Sequence, residues 1–570
     1  MIKEKIRINL KTKIYSDMPY ITIDGNKYEF INGETVIQVA HRNSIDIPNF
    51  CWHPGLSISG NCRICLVEIE KLPKLAIACS TLAEEGMVVH TKSEKTIEAQ
   101  NAVMEFLLIN HPLDCPICDE AGECKLQDYA YRYGVGESRF DEEKNKKDKR
   151  IPLGPNVMFD QERCISCSRC IRYCEEIAKS PQLTFVNRGE KVTIETFPGK
   201  QLDNPYSMNV IEICPVGALT SRDFRFRARV WDMSFTNSIC PGCARGCNTI
   251  IGVRNNEILR IEPRENTEVN DWWLCDWGRL NTYKYINNKD LRILGPQMRM
   301  DIQTKGKTDL IEVEWDEAES KAASILLSVP PDEILFIASP FATMEDNYVL
   351  KKTAIEIFRS NDIYYMPFID TNFGDDILKQ NDRTPNSSGL KLLGIKEVDD
   401  YVLNKLRNMR YKLFYIIKDD LTRTGIPIEI LSEVENSIQH LVVKNNFYNY
   451  AKVIFPHSAY AEVNGTFINF KNRIQRLRPA VATLDKERLL GDFSLSRLDK
   501  FGAPNDRWTH GLKIDARPSW KIMKLLAKAL GYNFAFENSE EVFIEMSESI
   551  SSLRGLDYEK IGDRGIQLKL

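Results

Sequence analysis

The sequence lacks any long apolar run. No segment approaches the roughly 20 apolar residues that a membrane-spanning helix needs. The first ten residues alternate charged side chains with isoleucine and do not form the apolar core of a signal peptide. We therefore expect a cytoplasmic chain that associates with a membrane only through a partner.

The sequence also lacks an excess of positive charge and a nucleotide-binding fingerprint. Its formal net charge is −4 over 570 residues, so no global basic field is present to hold nucleic acid. The basic run at 144–150 is expected to be a solvated loop. No Gly-x-Gly-x-x-Gly segment follows a predicted strand and no flavin signature is visible, so dinucleotides and flavins are expected to bind elsewhere.

Cysteine is absent before residue 51 and after residue 275, and all 16 cysteines lie between these positions. They form four groups, and a Cys-x2-Cys pair occurs in each. In a chain of this length without a secretion signal, that spacing indicates metal or redox chemistry rather than disulfides. Thiolates in groups of four are what iron–sulfur clusters require.

The first group follows a β-rich segment. Residues 20–23 and 28–31 are predicted strands joined by a turn at 24–27, and Thr35 is the predicted cap of a short helix over 36–41. This order resembles the β-grasp fold of [2Fe-2S] ferredoxins. The Cys-x10-Cys-x2-Cys-x13-Cys spacing departs from the plant-type order and resembles the ferredoxin modules of complex I and of iron hydrogenases. The implied [2Fe-2S] ligands are Cys51, Cys62, Cys65 and Cys79.

The second group begins with a histidine. A helix-like stretch ends at His111, and the spacing His-x3-Cys-x2-Cys-x5-Cys joins it to Cys115, Cys118 and Cys124. An imidazole in place of a thiolate changes the charge of a cluster, and with it the potential. A zinc site of three cysteines and one histidine is the alternative, but such a site rarely stands in tandem with three other four-ligand groups.

The third group resembles a bacterial two-cluster ferredoxin that has lost one cluster. Cys164, Cys167, Cys170 and Cys174 form one intact half-motif, and Cys214 keeps the Cys-Pro end of the other. Counting back from this end finds valine, serine and asparagine where three cysteines would stand. Because the fourth ligand normally comes from the other half-motif, Cys214 is expected to complete the surviving [4Fe-4S] site. Cys174 is then a buried free thiol.

The fourth group has the spacing Cys-x2-Cys-x3-Cys-x27-Cys over Cys240, Cys243, Cys247 and Cys275, and resembles the N-terminal [4Fe-4S] site of molybdopterin oxidoreductases. Setting Cys174 aside leaves 15 cysteines, and His111 brings the total to sixteen ligands for four clusters. No zinc or disulfide scheme uses the residues so completely.

Beyond residue 290, short apolar runs alternate with helical patterns and predict a parallel α/β layer. The predicted strands are 334–338, 412–417 and 440–443, and the predicted helices are 343–359 and 519–530. Residues 460–476 resemble the Glu-x-x-Gly-Thr-Phe-x-Asn…Arg-x-Gln segment of molybdopterin oxidoreductases.

Taken together, the motifs resemble the iron–sulfur subunit NADH-quinone oxidoreductase-G of respiratory complex I. The expected fold class is multidomain, α+β followed by α/β. The predicted domains are a β-grasp [2Fe-2S] domain at 17–95, a one-histidine, three-cysteine [4Fe-4S] domain at 96–136, a one-cluster ferredoxin-like domain at 150–228, a molybdopterin-oxidoreductase-type [4Fe-4S] domain at 233–289, and a truncated, degenerate molybdopterin-like α/β domain at 290–570.

The resemblance implies an electron-transfer subunit with one [2Fe-2S] cluster, three [4Fe-4S] clusters and no molybdopterin. Electrons would arrive from a flavin- and NADH-binding partner and pass through the first, third and second sets toward a quinone, with the fourth set off the route. The chain itself would convert no substrate. Other peripheral-arm subunits would be its partners, and the complex would hold it at the inner face of the cell membrane.

Three other functions fit parts of the sequence. An iron hydrogenase would need further cysteines after Cys275, and there are none. A molybdopterin-dependent formate dehydrogenase would normally offer a late cysteine or selenocysteine, although a Ser or Asp ligand is conceivable. The electron-transfer subunit of an NAD-linked hydrogenase would resemble only the first 225 residues.

Overall fold

The computed structural model of the chain describes residues 18–299, 309–485 and 511–569. These residues form two compact units, which join in sequence at Val230 and Trp231. The first unit carries three of the four ligand sets. The second unit carries the fourth set and the large α/β layer.

A five-stranded mixed sheet begins the first unit. Its strands are β1 Tyr20–Ile23, β2 Asn26–Glu29, β3 Leu66–Ile69, β4 Ala76–Ile77 and β5 Val88–His90. Their order is β2-β1-β5-β3-β4, with β1 and β5 parallel and the other pairs antiparallel. The second strand begins two residues earlier than the sequence predicts, because Asp24 and Gly25 have φ angles of 47° and 85° and form a two-residue turn.

Three helices frame the first two ligand sets: α1 Val36–Arg42, α2 Glu94–Leu108 and α3 Lys125–Tyr133. Thr35 precedes α1 as predicted, and its backbone amide donates to the Gln38 side chain at 2.8 Å. This is one half of a capping box. Ser93 caps α2 by accepting a hydrogen bond from the amide of Thr96. The helix ends three residues before His111, so this side chain sits in the loop that the cysteine spacing requires.

The remainder of the first unit is built from short elements. They are β6 Ile151–Pro152, β7 Val157–Phe159, α4 Arg169–Glu176, β8 Leu183–Val186, β9 Thr193–Thr196, α5 Asn209–Glu212 and β10 Leu219–Ser221. Strands β10, β7 and β6 pair in that order, and β8 pairs with β9. Cys170 and Cys174 lie in α4, and Cys214 follows α5 by two residues.

The second unit begins with a three-stranded antiparallel sheet. It consists of β11 Ser234–Ile239, β12 Asn248–Arg254 and β13 Glu257–Pro263, followed by helices α6 Asp276–Asn281 and α7 Lys284–Asn287. Cys240 follows β11 directly, Cys247 precedes β12, and Cys275 caps α6. The sheet therefore fixes both ends of the loop that carries the fourth ligand set.

An eight-stranded sheet forms the centre of the second unit. Its strands are β14 Gln297–Arg299, β15 Leu310–Glu312, β16 Ile334–Ala338, β17 Ile363–Tyr365, β18 Lys396–Glu397, β19 Leu413–Ile417, β20 Asn436–Leu441 and β21 Val453–Pro456. The order is β15-β14-β21-β20-β19-β16-β17-β18, and the run from β21 to β18 is parallel. Strand β20 begins four residues before the predicted start at 440, because its early residues are polar yet buried.

Helices cover this sheet: α8 Trp315–Ser328, α9 Met344–Lys352, α10 Ser387–Leu392, α11 Asp400–Arg407, α12 Ile428–Leu431, α13 Ser519–Ala529, α14 Ser539–Ser549 and α15 Tyr558–Ile561. The predicted helix at 343–359 is α9 followed by a π-helical turn at Thr353–Ile357. A last antiparallel sheet consists of β22 Gly465–Ile468, β23 Arg473–Leu477 and β24 Ile566–Gln567. Within the described ranges, no helix is long and apolar enough to cross a bilayer.

Candidate iron–sulfur centres

The first set lies in the loop between α1 and β3, with Cys79 just after β4. The amide of Cys51 donates to the sulfur of Cys62 at 3.4 Å. Hydrogen bonds with the thiols of Cys62 and Cys79 lower the pKa of Cys51, and Cys65 is in turn hydrogen-bonded to Cys79. The same contacts raise the pKa values of Cys62 and Cys79. The structure thus brings all four predicted residues into one connected group of sulfurs.

The second set is the least enclosed. Cys118 and Cys124 are buried, whereas Cys115 is exposed at the start of a short 3-10 turn. Burial lowers the pKa of His111 to about 4, so the imidazole is neutral at pH 7, as a metal ligand must be. Its Nδ1 atom is buried with no hydrogen-bond partner among the described residues. The cavity beside His111 is lined by Cys164 of the third set but by none of the three cysteines of its own set.

The third set surrounds one cavity. Its lining includes Cys164, Cys167, Cys170 and Cys214 but not Cys174, which is buried elsewhere in α4. Burial raises the pKa of Cys164 to about 11 and raises those of Cys170 and Cys214 well above the ordinary thiol value. Buried thiols of this kind become thiolates when a metal cation supplies the opposite charge.

The fourth set also surrounds one cavity, which Cys240, Cys243, Cys247 and Cys275 line. The amide of Gly242 donates to the sulfur of Cys240 at 3.4 Å, and that of Gly278 donates to the sulfur of Cys275 at 3.3 Å. Burial raises the pKa of Cys275 to about 12. Backbone donors of this kind stabilise sulfur that has become anionic and raise the potential of a bound cluster.

Cationic and aromatic side chains close the fourth cavity. Trp277 and Phe373 line it, and the guanidinium carbon of Arg383 lies 4.2 Å and 3.7 Å from their ring centroids. The Nε of Arg383 also donates to the carbonyl of Gly242 at 3.3 Å. This arrangement excludes water and places a positive charge near Cys240.

The first and third sets meet at two arginines of α4. Arg169 donates to the carbonyls of Trp52 at 2.5 Å and Ile213 at 3.0 Å. Arg172 donates to the carbonyl of Cys51 at 2.5 Å. Each acceptor belongs to a predicted ligand or to its immediate neighbour, so α4 connects the backbones of the two sets.

The third and second sets meet at the loop after Cys214. A Cβ atom on Gly217 would overlap the sulfur of Cys118. Arg163, which precedes Cys164, donates to the carboxylate of Asp114 at 2.7 Å, and Asp114 precedes Cys115. The third set therefore lies between the first and the second, although it follows both in the chain.

The bridging residues are absent from the sequence-based prediction. Arg169 and Arg172 stand inside the third cysteine motif, but nothing in the motif indicates that their partners lie more than 100 residues away. Gly217, three residues after Cys214, is the one position whose type could have signalled a close approach. Arg383 lies over 100 residues from the nearest cysteine in sequence.

Four family models match consecutive segments of the chain. They are a 2Fe-2S iron-sulfur cluster binding domain at 17–94, the NADH-ubiquinone oxidoreductase-G iron-sulfur binding region at 100–139, the ferredoxin-like domain of NADH-quinone oxidoreductase subunit 3 at 154–220, and the molybdopterin oxidoreductase Fe4S4 domain at 233–288.

Curated relatives decide between the families that the sequence suggests. The NADH-quinone oxidoreductase-G of Rickettsia conorii is 42% identical over 342 residues, which are 60% of this chain and 49% of that protein. The resemblance to NADH-quinone oxidoreductase-G is confirmed. The mitochondrial 78 kDa subunit of NADH-ubiquinone oxidoreductase from Neurospora crassa is 40% identical over 61% of this chain and 46% of its own length. The chain therefore spans about half the length of the NADH-quinone oxidoreductase-G relatives that it matches.

Solved structures add little to the comparison with these relatives. A chain of an NAD+-reducing [NiFe]-hydrogenase covers 38% of this chain and 92% of its own length, with 29% identity and a TM-score of 0.34. Acetylene hydratase from Pelobacter acetylenicus covers 59% of this chain and 74% of its own length, with 9% identity and a TM-score of 0.36. Neither similarity carries a functional argument.

Proposed function

We propose that the chain is the iron–sulfur electron-transfer subunit of an NADH-quinone oxidoreductase. The observation that carries this proposal is the agreement between spacing and space in the third set. Cys214 joins Cys164, Cys167 and Cys170 around one cavity, and Cys174 does not. A chain that only retained a degenerate motif would have no reason to keep four thiols around one enclosed space.

The proposed ligands are His111 and fifteen cysteines, in the four sets described above. Bound there, one [2Fe-2S] and three [4Fe-4S] clusters would supply one-electron transfer. The protein holds the thiols out of water, and backbone amides donate to the sulfurs of Cys62, Cys164, Cys240 and Cys275. These groups set position and potential, and none of them needs to act as a proton-transfer base.

Zinc is the alternative occupant of the second set. One histidine and three cysteines are a donor set that a structural zinc ion also accepts. Residues 100–139, which include His111 and all three cysteines of this set, match the NADH-ubiquinone oxidoreductase-G iron-sulfur binding region. This match supports a [4Fe-4S] cluster rather than zinc in the second set.

The contacts between sets support a route from the first set to the third and then to the second. Arginines of α4 join the first and third sets, and Gly217 places the third against Cys118 of the second. We propose that a flavin- and NADH-binding partner delivers electrons to this route and that another peripheral-arm subunit receives them. The fourth set, in the second unit, would lie off the route.

The second unit is proposed to be a scaffold of degenerate molybdopterin-oxidoreductase type, without a pterin. The matching family model ends at residue 288. A formate dehydrogenase-like activity remains the second candidate, because the Fe4S4 domain of molybdopterin oxidoreductases is the segment that matches here.

Iron, sulfide and metal analysis of the anaerobically reconstituted chain tests the function. We expect about 14 irons per chain, from one two-iron and three four-iron clusters, and no molybdenum or tungsten. EPR spectra of the reduced protein should resolve one [2Fe-2S] signal and three [4Fe-4S] signals. Stoichiometric zinc, or turnover of formate by the isolated chain, would refute the proposal.

A further inference from the structure

Two buried guanidinium groups stand between the first and third ligand sets. Arg169 and Arg172 are 4% and 8% exposed. Within the described residues, every acceptor that they bind is a neutral oxygen. The acceptors are the carbonyls of Ile213, Trp52, Ser57 and Cys51, the amide oxygen of Asn49 and the hydroxyl of Ser168. The Nε atom of Arg169 is buried without a partner.

Burying a cation without an anion costs several kcal/mol. Burial also lowers the pKa of Arg169, whereas thiolate charge on Cys167, Cys214, Cys51 and Cys62 would raise it. Two of these sulfurs belong to the third set and two to the first. The anions that can balance Arg169 are therefore the ligated sets on either side of it.

The other junction is arranged differently. Arg163 binds Asp114 at 2.7 Å, and Lys149 binds Asp114 at 2.8 Å and Glu162 at 2.7 Å. Each cation there already has a carboxylate partner. Glu176, the carboxylate one turn after Arg172 in α4, is exposed and accepts hydrogen bonds from Ser57. An unbalanced positive charge is thus specific to the junction of the first and third sets.

We propose that Arg169 is a positioning residue shared by the first and third ligand sets, where its single positive charge stabilises the reduced state of both. This inference rests on the proposed function. In the step concerned, one electron leaves the reduced first set and arrives at the oxidised third set, and no bond or proton is exchanged. Because Arg169 lines the third cavity and donates to the carbonyl next to Cys51, its charge faces the electron before and after transfer.

The guanidinium also links the two backbones. Its hydrogen bonds join the carbonyl of Trp52, next to Cys51, to the carbonyl of Ile213, next to Cys214. Arg172 adds a bond to the carbonyl of Cys51 itself. The planar fork of arginine can hold both acceptors at once, which the single ammonium of lysine does less well.

Potentiometric titration of the reconstituted full chain, followed by EPR, tests this role. Arg169→Gln should lower the midpoint potentials of the first and third centres together. At the wild-type midpoint, the reduced-to-oxidised ratio of each should fall about tenfold, which is 59 mV for one electron. The second and fourth centres should keep their potentials.

Two control variants separate charge from structure. Arg169→Lys keeps the charge and should preserve both potentials while slowing electron exchange between the two centres. Arg132→Gln removes an exposed cation that is paired with Asp46 and should change nothing. If Arg169→Gln fails to hold a centre, Arg169→Lys must restore it.

A shift of one potential alone, of neither, or of all four equally would overturn the inference. So would the loss of a centre in Arg169→Lys, since geometry rather than charge would then be decisive. These outcomes leave the proposed function intact. Its own failure would be seen in the wild-type chain, as absent iron–sulfur signals.

Discussion

Gly217 lies so close to Cys118 that a methyl group on it would overlap the sulfur and lie 2.9 Å from the Cβ of Glu120. No real Cβ atom approaches its neighbours so closely, so one of the two loops would have to move. This contact joins the second and third ligand sets and limits residue 217 to glycine.

Gly217→Ala should therefore disturb the second centre. We expect the EPR signal of this centre to be lost or broadened and the iron content to fall by up to about four atoms. Gly189→Ala is the matched control, because a Cβ there meets nothing within 4 Å. Its φ of 60° costs only about 1–2 kcal/mol in local strain. An unaltered second centre in Gly217→Ala would show that the two loops are not rigidly apposed.

Replacing Cys174 and Cys214 in turn tests the assignment of the third set. Cys174→Ser should retain all four centres, because Cys174 does not line the cavity. Cys214→Ser should lose about four irons and one EPR signal. Thermal unfolding of both variants separates ligand loss from general destabilisation. The opposite pattern of iron loss would transfer the ligand role to Cys174.

His111→Cys should keep the second centre and lower its midpoint potential. The imidazole is neutral, since burial lowers the pKa of His111 to about 4, whereas a thiolate adds one negative charge. His90→Cys, which adds a cysteine at a more exposed histidine paired with Glu70, is the composition control. EPR-monitored titration measures the change. A potential that stays constant in His111→Cys would argue against His111 as a ligand.

Glu345→Gln should reduce the dependence of stability on pH in the second unit. Burial raises the pKa of Glu345 to about 7, while its side chain accepts hydrogen bonds from Thr466 and Tyr558. The folded chain therefore binds this proton more tightly than the unfolded chain, and stability falls as pH rises from about 4.5 to about 7. The full effect is about 3 kcal/mol.

Thermal unfolding at pH 5 and pH 8 measures this effect. The wild type should lose more stability between these values than Glu345→Gln. Glu317→Gln, an exposed change in the first turn of α8, should behave like the wild type. Identical pH slopes for all three proteins would show that Glu345 titrates normally.

The cysteine spacing predicted much of the arrangement around the sets, because ligand loops are local in sequence. The Cys-Pro pair at 214 indicated that Cys174 is spare, and the structure places the two residues accordingly. Ligation itself stays a prediction. The helix capped by Thr35 and the buried strand Ile334–Ala338 followed from local patterns.

Other features depend on distant contacts and could not be predicted. Strand β20 begins with polar residues that suggest a loop, but Gln439 is buried and donates to Ser437 and to the carbonyl of Phe447. The partners of Arg169 and Arg172 lie 117 and 121 residues away for Trp52 and Cys51. A local pattern shows the cation but not what surrounds it.

The span of 121 residues between Cys51 and Arg172 has a consequence for biosynthesis. At about 5–20 residues per second, the ribosome releases the Cys51 loop roughly ten seconds before α4 exists. Until then, water must solvate the carbonyls that the two arginines later bind. The earliest motif to be translated is therefore completed late, and iron delivered to the nascent chain would meet an open, wet loop.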